Sequence, residues 1–504
     1  MRTSSSSIEG RTHLLPFLQL HRSTLRSGRL LEVLVLFVQA ALLTVLVIHH
    51  EPWFDEAQAW LLVRDCDLTD LVSLYLGYDT SPPLWHLLLM VPAKLRLPYH
   101  PTLNLLSAGC AVLASALFLF GTSLPRFFRL LLPFTYGLGY QYSVVARSYA
   151  PLVALLALLA VLYPRRMERP GRYLLALLFL AATYFHGTLV AGTLYAVFVL
   201  ERLAAAFRAP TGRRQVFFRL VGEVVVATML LSLLYQVIRP PEDYYFHAGF
   251  DLGRRLLLFS PTRTLQETIL PVIAGATTGH ILTALPILCV LSAWLWGRKA
   301  LHLLVLPWLA LLGLFALLYV NSWHHDLLFL VLVFACAAAV SRSPRRPAPW
   351  LDRASAACLV LLAISQLPWT WSTAQDDLRK PYSGAAVAAQ YLQDHHPDQP
   401  VFLLRGSFCG FALQPYFARN IFSNYRHPFA FYWWSSKADL DGGEDALRRE
   451  RPEVVVACQK LQHELEPDLA LAGYRRVLYA PGELFFKGSV KEREDFLVFV
   501  AEDP

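Results

Sequence analysis

The sequence predicts an all-α polytopic membrane protein followed by a soluble C-terminal α/β domain, on three observations. Of the 504 residues, 55% are hydrophobic and only 16% charged, whereas soluble domains carry roughly a quarter charged residues. Apolar runs long enough to cross a bilayer, which takes about 20 residues, recur between residues 30 and 371. Beyond Trp371 those runs give way to short apolar stretches alternating with helical patterns.

The runs lie near 30–49, 102–121, 128–144, 148–164, 172–187, 188–204, 217–238, 280–297, 300–320, 325–341 and 353–371, or about eleven spans. The segment before them, 1–29, is Ser-rich and basic, with Arg22, Arg26 and Arg29. It resembles the start of a signal peptide, but the run it precedes is long and ends in His49-His50-Glu51, with no small-residue cleavage site. The expectation is an uncleaved first span. Pro82 to Leu97 is apolar but short and contains Lys94 and Arg96, which suits an interfacial or re-entrant helix.

Charge orients the helices. Arg126 and Arg129, Arg165 to Arg172, Arg202 to Arg214, Arg298-Lys299 and Arg342 to Arg346 fall in alternate loops, on the side of the basic N-terminus. Glu51, Asp55, Glu56, Asp65, Asp67, Asp70, Asp79, Glu242, Asp243 and Asp326 fall on the other. Under the positive-inside rule the acidic loops face away from the cytoplasm. Arg239, Arg254, Arg255 and Arg263 depart from the pattern, in a longer loop where the bias is weaker. The net charge of +8 is therefore spent on orientation, which argues against a nucleic-acid partner.

The division expected is a cytoplasmic segment 1–29, a membrane domain 30–371 with an outer loop 50–101, and an outer domain 372–504. In the last, 385–393 and 445–450 read as helices, and 401–404, 454–457, 476–479 and 483–486 as strands. None of the seven cysteines stands in a CxxC spacing. Cys110, Cys289, Cys336 and Cys358 lie in apolar runs as small hydrophobes. Cys66, Cys409 and Cys458 face the outside, where a Cys409–Cys458 disulfide is one option.

The polar residues that carry chemistry gather in the acidic loops. Asp55 and Glu56 adjoin just past the first span. Neighbouring carboxylates repel, which raises one pKa toward a general base, and they can also share a divalent cation. A solvated, helix-capping acidic turn is the plainer alternative. Arg147 stands at the outer end of the third span, where it either grips phosphate or snorkels to headgroups. His186 lies at the next outer turn and His324-His325 at the start of the tenth span. His50, Glu242, Asp243 and His247 share this face. No ligand spacing supports a metal site or any particular cofactor. Tyr432-Trp433-Trp434 in the outer domain either stack on a sugar or pack in a core.

Trp53-Phe54-Asp55-Glu56-Ala57-Gln58, followed by Ser81-Pro82-Pro83-Leu84-Trp85-His86-Leu87, resembles the first outer loop of the GT-C superfamily of membrane glycosyltransferases. That group includes protein O-mannosyltransferases and aminoarabinose transferases. The likeness spans about 30–371 and fades after residue 200; Ser81 stands where His or Lys is usual. It implies a GT-C-like fold and an inverting transfer from a polyprenyl-phosphate sugar to a cell-envelope acceptor; no cofactor is assigned, and a divalent cation on the acids stays open. The acidic pair Asp55 and Glu56 would be catalytic, with Asp55 as general base. Arg147, His186, His324 and His325 would bind the donor phosphate. Two other classes compete: a transporter or flippase of lipid-linked intermediates, and a non-catalytic envelope scaffold. A transporter needs polar groups on both faces and within the spans, whereas here they concentrate on one.

Overall fold

The computed structural model describes residues 29–208, 213–246, 259–341, 348–404, 407–458 and 473–502. The basic segment 1–28, the arginines at 254, 255 and 342–346, and His247 lie outside them.

The chain opens with α1 (Leu30–His49), crossing once before α2 (Phe54–Asp65). Short helical turns over 68–79 lead to α3 (Leu84–Lys94), too short to span, and to α4 (Tyr99–Gly121). The next expected span, 128–144, is not one helix. Arg126–Leu131, a 3-10 turn at Leu132–Phe134 and a π turn at Gly137–Gln141 take its place. Pro133 lacks an amide hydrogen, and Gly137 and Gly139 favour no helix, so the ladder breaks there. Gly139 also sits where a Cβ would meet Thr370 Cγ2 at 2.7 Å, so the break lets the chain press against the last long helix.

Then follow α5 (Tyr149–Leu162), α6 (Pro170–Ala181), α7 (Phe185–Arg208) and α8 (Arg213–Ile238). Pro261–Ala276 (α9) and Ile281–Gly297 (α10) form a pair bent by 68°. The bundle closes with α11 (His302–Leu317), α12 (Asp326–Ser341) and α13 (Pro349–Arg379). Six helices among the described residues are long and apolar enough to cross a membrane, or seven with the bent pair counted once. The expected count of about eleven is therefore not matched by length alone: 148–164, 172–187 and 300–320 form shorter apolar helices. The turn between α6 and α7 also falls at 182–184, earlier than expected, and puts His186 in the first turn of α7.

Burial follows composition. Every residue of α12 from Asp326 to Ala339 is buried, because a helix apolar on all sides is stable only when neighbours surround it. In contrast, only 6% of the α8 span is buried. Its apolar surface, with Phe217, Val225, Val226 and Leu233 exposed, suits lipid. At the basic end, Glu32–Arg126 (2.9 Å), Arg166–Glu201 (2.8 Å) and Arg298–Asp352 (2.8 Å) join helices pairwise.

The C-terminal unit holds α14 (Ala385–His395), β1 (Val401–Leu403), α15 (Glu444–Glu450), β2 (Val454–Cys458), β3 (Tyr474–Ala480) and β6 (Phe496–Ala501). The sheet order is β1-β2-β6-β3, with β1 parallel to β2 and the other pairs antiparallel. Cys409 and Cys458 are disulfide-bonded, Cα atoms 5.9 Å apart. Strands β4 (Glu483–Phe486) and β5 (Ser489–Arg493) form a separate hairpin. Its turn residues Lys487 and Gly488 both have positive φ, as a two-residue type I′ turn requires.

This hairpin leaves its own domain and enters the helical bundle. Phe485 and Phe486 join the membrane core. Lys487 Nζ pairs with Asp326 Oδ1 at 3.0 Å, donates to the Gly275 carbonyl and lies 4.3 Å from the Trp369 ring centroid. The Gly488 amide donates to Thr373 Oγ1 at 2.8 Å.

Candidate active site

The site is built around the junction of α1 and α2. Glu56, in the first turn of α2, points inward and is fully buried. Its Oε1 accepts from Asn104 Nδ2 of α4 (2.7 Å) and from the Ala146 amide (2.6 Å). Its Oε2 contacts His50 Nε2 (3.1 Å) and accepts from the Trp53 amide (3.3 Å). His50 reaches on to Asp377 Oδ2 of α13 at 3.0 Å. Burial opposes a charge on His50, but the carboxylates of Asp377 and Glu56 outweigh it and raise the pKa to about 10. The imidazolium between two carboxylates thus ties α1, α2 and α13 together.

One residue earlier, Asp55 projects about 100° further round the helix. It forms an ion pair with Arg147, and the two side chains remain 34% and 26% exposed. Arg147 lies in the loop before α5, next to the Ala146 amide that Glu56 holds. The adjacent acids therefore act from opposite sides: Glu56 fixes the backbone beside Arg147, and Asp55 meets its guanidinium.

The pair opens into a cavity of about 310 Å³. Trp53, Tyr149, Tyr184, Tyr319, Trp323 and Tyr382 supply aromatic walls, and Gln141, Asn321, His324 and Glu492 supply polar atoms. The Arg147 guanidinium carbon stands 5.9 Å from the Trp53 ring centroid. A larger groove, about 570 Å³, runs between α6, α7 and α8, but Leu, Ala and Gly dominate its walls, as in a lipid-facing crevice.

The histidines divide. His324 lines the cavity, and its Nδ1 accepts from the Asn321 amide at 3.1 Å. That bond leaves the hydrogen on Nε2, so a neutral His324 is an N–H donor there. His186 lies behind it, 4.4 Å between ring centroids, stacked on Tyr184 at 4.9 Å, with neither ring nitrogen bonded among the described residues. His325 turns away, packing 6.3 Å from Phe486 under the hairpin. Glu242 is exposed. Asp243 accepts from Tyr78 Oη (2.8 Å) and Ser435 Oγ (2.5 Å), stapling the start of the loop after α8 to the C-terminal unit. Asp55, Arg147 and His324 thus share the cavity; His186 backs it; Glu56, His50, His325, Glu242 and Asp243 do not line it.

No three His, Cys, Asp or Glu side chains converge as metal ligands among the described residues, and Asp55 and Glu56 hold different partners, Arg147 and His50. Several wall residues lie outside the sequence-based expectation, among them Gln141, Tyr319, Asn321, Trp323, Tyr382 and Glu492. Trp323 adjoins His324, Tyr382 follows the end of α13, and Glu492 sits in a charged run that reads as solvated strand. Tyr432 is buried and Trp434 partly so, within an aromatic cluster with Phe408.

The C-terminal unit grips α2 directly. Gln58 exchanges hydrogen bonds with the Tyr432 backbone (2.7 and 3.0 Å), and Asp65 accepts from the Ala430 amide (2.7 Å). Glu494 accepts from the Phe54 amide at 3.1 Å and from Ser383 Oγ at 2.7 Å. Burial raises its pKa to about 8.

No protein-family model and no curated protein matches the sequence. Among solved structures, the chain is similar to ArnT from Cupriavidus metallidurans in its apo state. The TM-score is 0.53 at 14% identity, over 92% of this chain and 97% of that one. At that identity the likeness is one of fold, and it takes in the helical bundle and the C-terminal unit together. The chain has an ArnT-like fold.

Proposed function

We propose that this protein is a membrane glycosyltransferase that moves a sugar from a polyprenyl-phosphate carrier to a hydroxyl of a cell-envelope acceptor, on the outer face of the cytoplasmic membrane. The observation that carries the reading is the Asp55–Arg147 pair at the mouth of an aromatic-walled cavity. The ArnT-like fold supports it, and the crowding of acids at this end supports the orientation.

The chemistry follows from the pair. A guanidinium presents a planar fork that matches phosphate oxygens. When the carrier phosphate takes Arg147, Asp55 loses its partner and becomes available as a base. It accepts the proton of the acceptor hydroxyl while that oxygen attacks the anomeric carbon. The bond from that carbon to the phosphate oxygen breaks, its electrons leave with the phosphate, and the configuration inverts. Arg147 and the His324 N–H stabilise the charge on the departing phosphate. The aromatic walls exclude water that would otherwise hydrolyse the donor.

The test is transfer by the purified protein from a synthetic polyprenyl-phosphate sugar to envelope lipids or glycans. Arg147→Ala should raise the KM for donor at least tenfold and change that for acceptor little. A donor KM equal to that of the unaltered protein would remove Arg147 from the phosphate site.

A further inference from the structure

Glu492 sits far from Asp55 in sequence, on a hairpin that belongs by chain order to the C-terminal unit, yet it lines the same cavity. Contacts with the bundle seat the hairpin. Lys487 pairs with Asp326, its backbone amide donates to Tyr136 Oη at 3.1 Å, the Gly488 amide donates to Thr373, and Phe486 meets the Trp323 ring edge-on at 5.2 Å. Leu484, the cross-strand partner of Glu492, is buried in the bundle core. The position of Glu492 is therefore set by the membrane domain as much as by its own.

Its carboxylate is only partly exposed and has no hydrogen-bond or ionic partner among the described residues. A carboxylate offers about four acceptor sites, and the nearby walls are the rings of Trp323 and Tyr382, which carry apolar faces. Aromatic faces with a few fixed polar groups are the usual make-up of a small-molecule subsite. A sugar ring has this chemistry, with apolar C–H faces and hydroxyl donors at its rim.

We propose that Glu492 and the hairpin carrying it form the subsite for the transferred sugar, with Glu492 accepting hydrogen bonds from ring hydroxyls. This rests on the lipid-phosphate reading above. The donor's sugar is favoured over the acceptor's because it is bonded directly to the phosphate. With the phosphate on Arg147, the ring must occupy the same small cavity, whereas the acceptor arrives past the exposed edge of Asp55. The C-terminal unit is on this view part of the donor site and sets which sugar is accepted.

Binding by the full-length purified protein tests this with two probes: a polyprenyl-phosphate sugar and polyprenyl phosphate alone. Glu492→Ala should weaken binding of the sugar-bearing probe about tenfold to hundredfold, the range for lost hydrogen bonds to a charged group, and leave the bare phosphate unchanged. Glu492→Gln, which keeps an acceptor oxygen and the side-chain volume, should lose less. Equal weakening of both probes by both variants would make the hairpin a structural wall only and overturn the proposal. So would unaltered binding of the sugar-bearing probe. If the unaltered protein binds neither probe, the lipid-phosphate reading fails, and the subsite with it.

Discussion

Asp55 and Glu56 are chain neighbours in opposite surroundings. Asp55 opens onto a cavity and holds one partner, Arg147, at a third exposure. Glu56 is sealed at a junction of helices and touches His50, Asn104, Trp53 and Ala146. The difference teaches that an acidic pair is not one unit of chemistry. On a helix, successive side chains diverge by about 100°, so one can face substrate while the next braces the scaffold that aims it.

The largest expected effect tests the open side. Asp55→Asn keeps the shape but removes the proposed base, and transfer should fall about 10²- to 10⁴-fold with the thermal midpoint almost unchanged. A variant that retains transfer would break the comparison at once. On the sealed side, Glu56→Ala strands the buried Ala146 amide and one N–H of Asn104, whose other bond to the Val144 carbonyl remains, each costing about 1–3 kcal/mol. It should lower the thermal midpoint clearly, with Glu56→Gln recovering part of it. Were Glu56→Ala as stable as the parent yet inactive, Glu56 would belong with the chemistry after all.

Two smaller effects sharpen where the sealed region ends. Gly488 has φ +77°, and a Cβ there would lie 2.2 Å from Ser372 Oγ. Gly488→Ala should unseat the hairpin by about 1 kcal/mol or more, seen as faster proteolysis at 483–493. Glu494 is tested through pH. Its folded pKa, about 8, is above the ordinary carboxylate value of 4.5. The stability it confers is therefore full below pH 4.5 and is lost as pH rises through about 8. Melting of the protein should decline across that window, and Glu494→Gln should flatten the decline. An unchanged slope in the variant would place the titration elsewhere.

How much of this was legible in the sequence depended on whether the signal was local. Apolar runs and alternating loop charge marked α1 and α4 closely, because span length and orientation are written in contiguous residues. The broken stretch over 126–141 carried its warning in Pro133, Gly137 and Gly139, but hydropathy averages over such residues. Strand β6 reads Phe-Leu-Val-Phe-Val-Ala and was missed. Both its faces are covered, Phe496 and Val498 in one core and Leu497 and Phe499 in another, so it lacks the alternation that marks a half-buried strand. In the site, Asp55, Arg147 and His324 were marked by residue type and by their place at span ends. The separation of Asp55 from Glu56 was not legible, since it depends on what packs against each face of α2. Glu492 lay beyond reach for the same reason: only the seating of a distant hairpin brings it to the cavity.

That seating has a consequence for how the protein is made. The ribosome completes every helix of the bundle before it reaches Glu483, so the part of the cavity wall that Glu492 supplies is the last to be made. That wall closes only when the trailing hairpin seats itself among the helices. Maturation is thereby coupled to synthesis, and a chain cut short ahead of residue 483 would retain its membrane anchorage but lack the closed chamber.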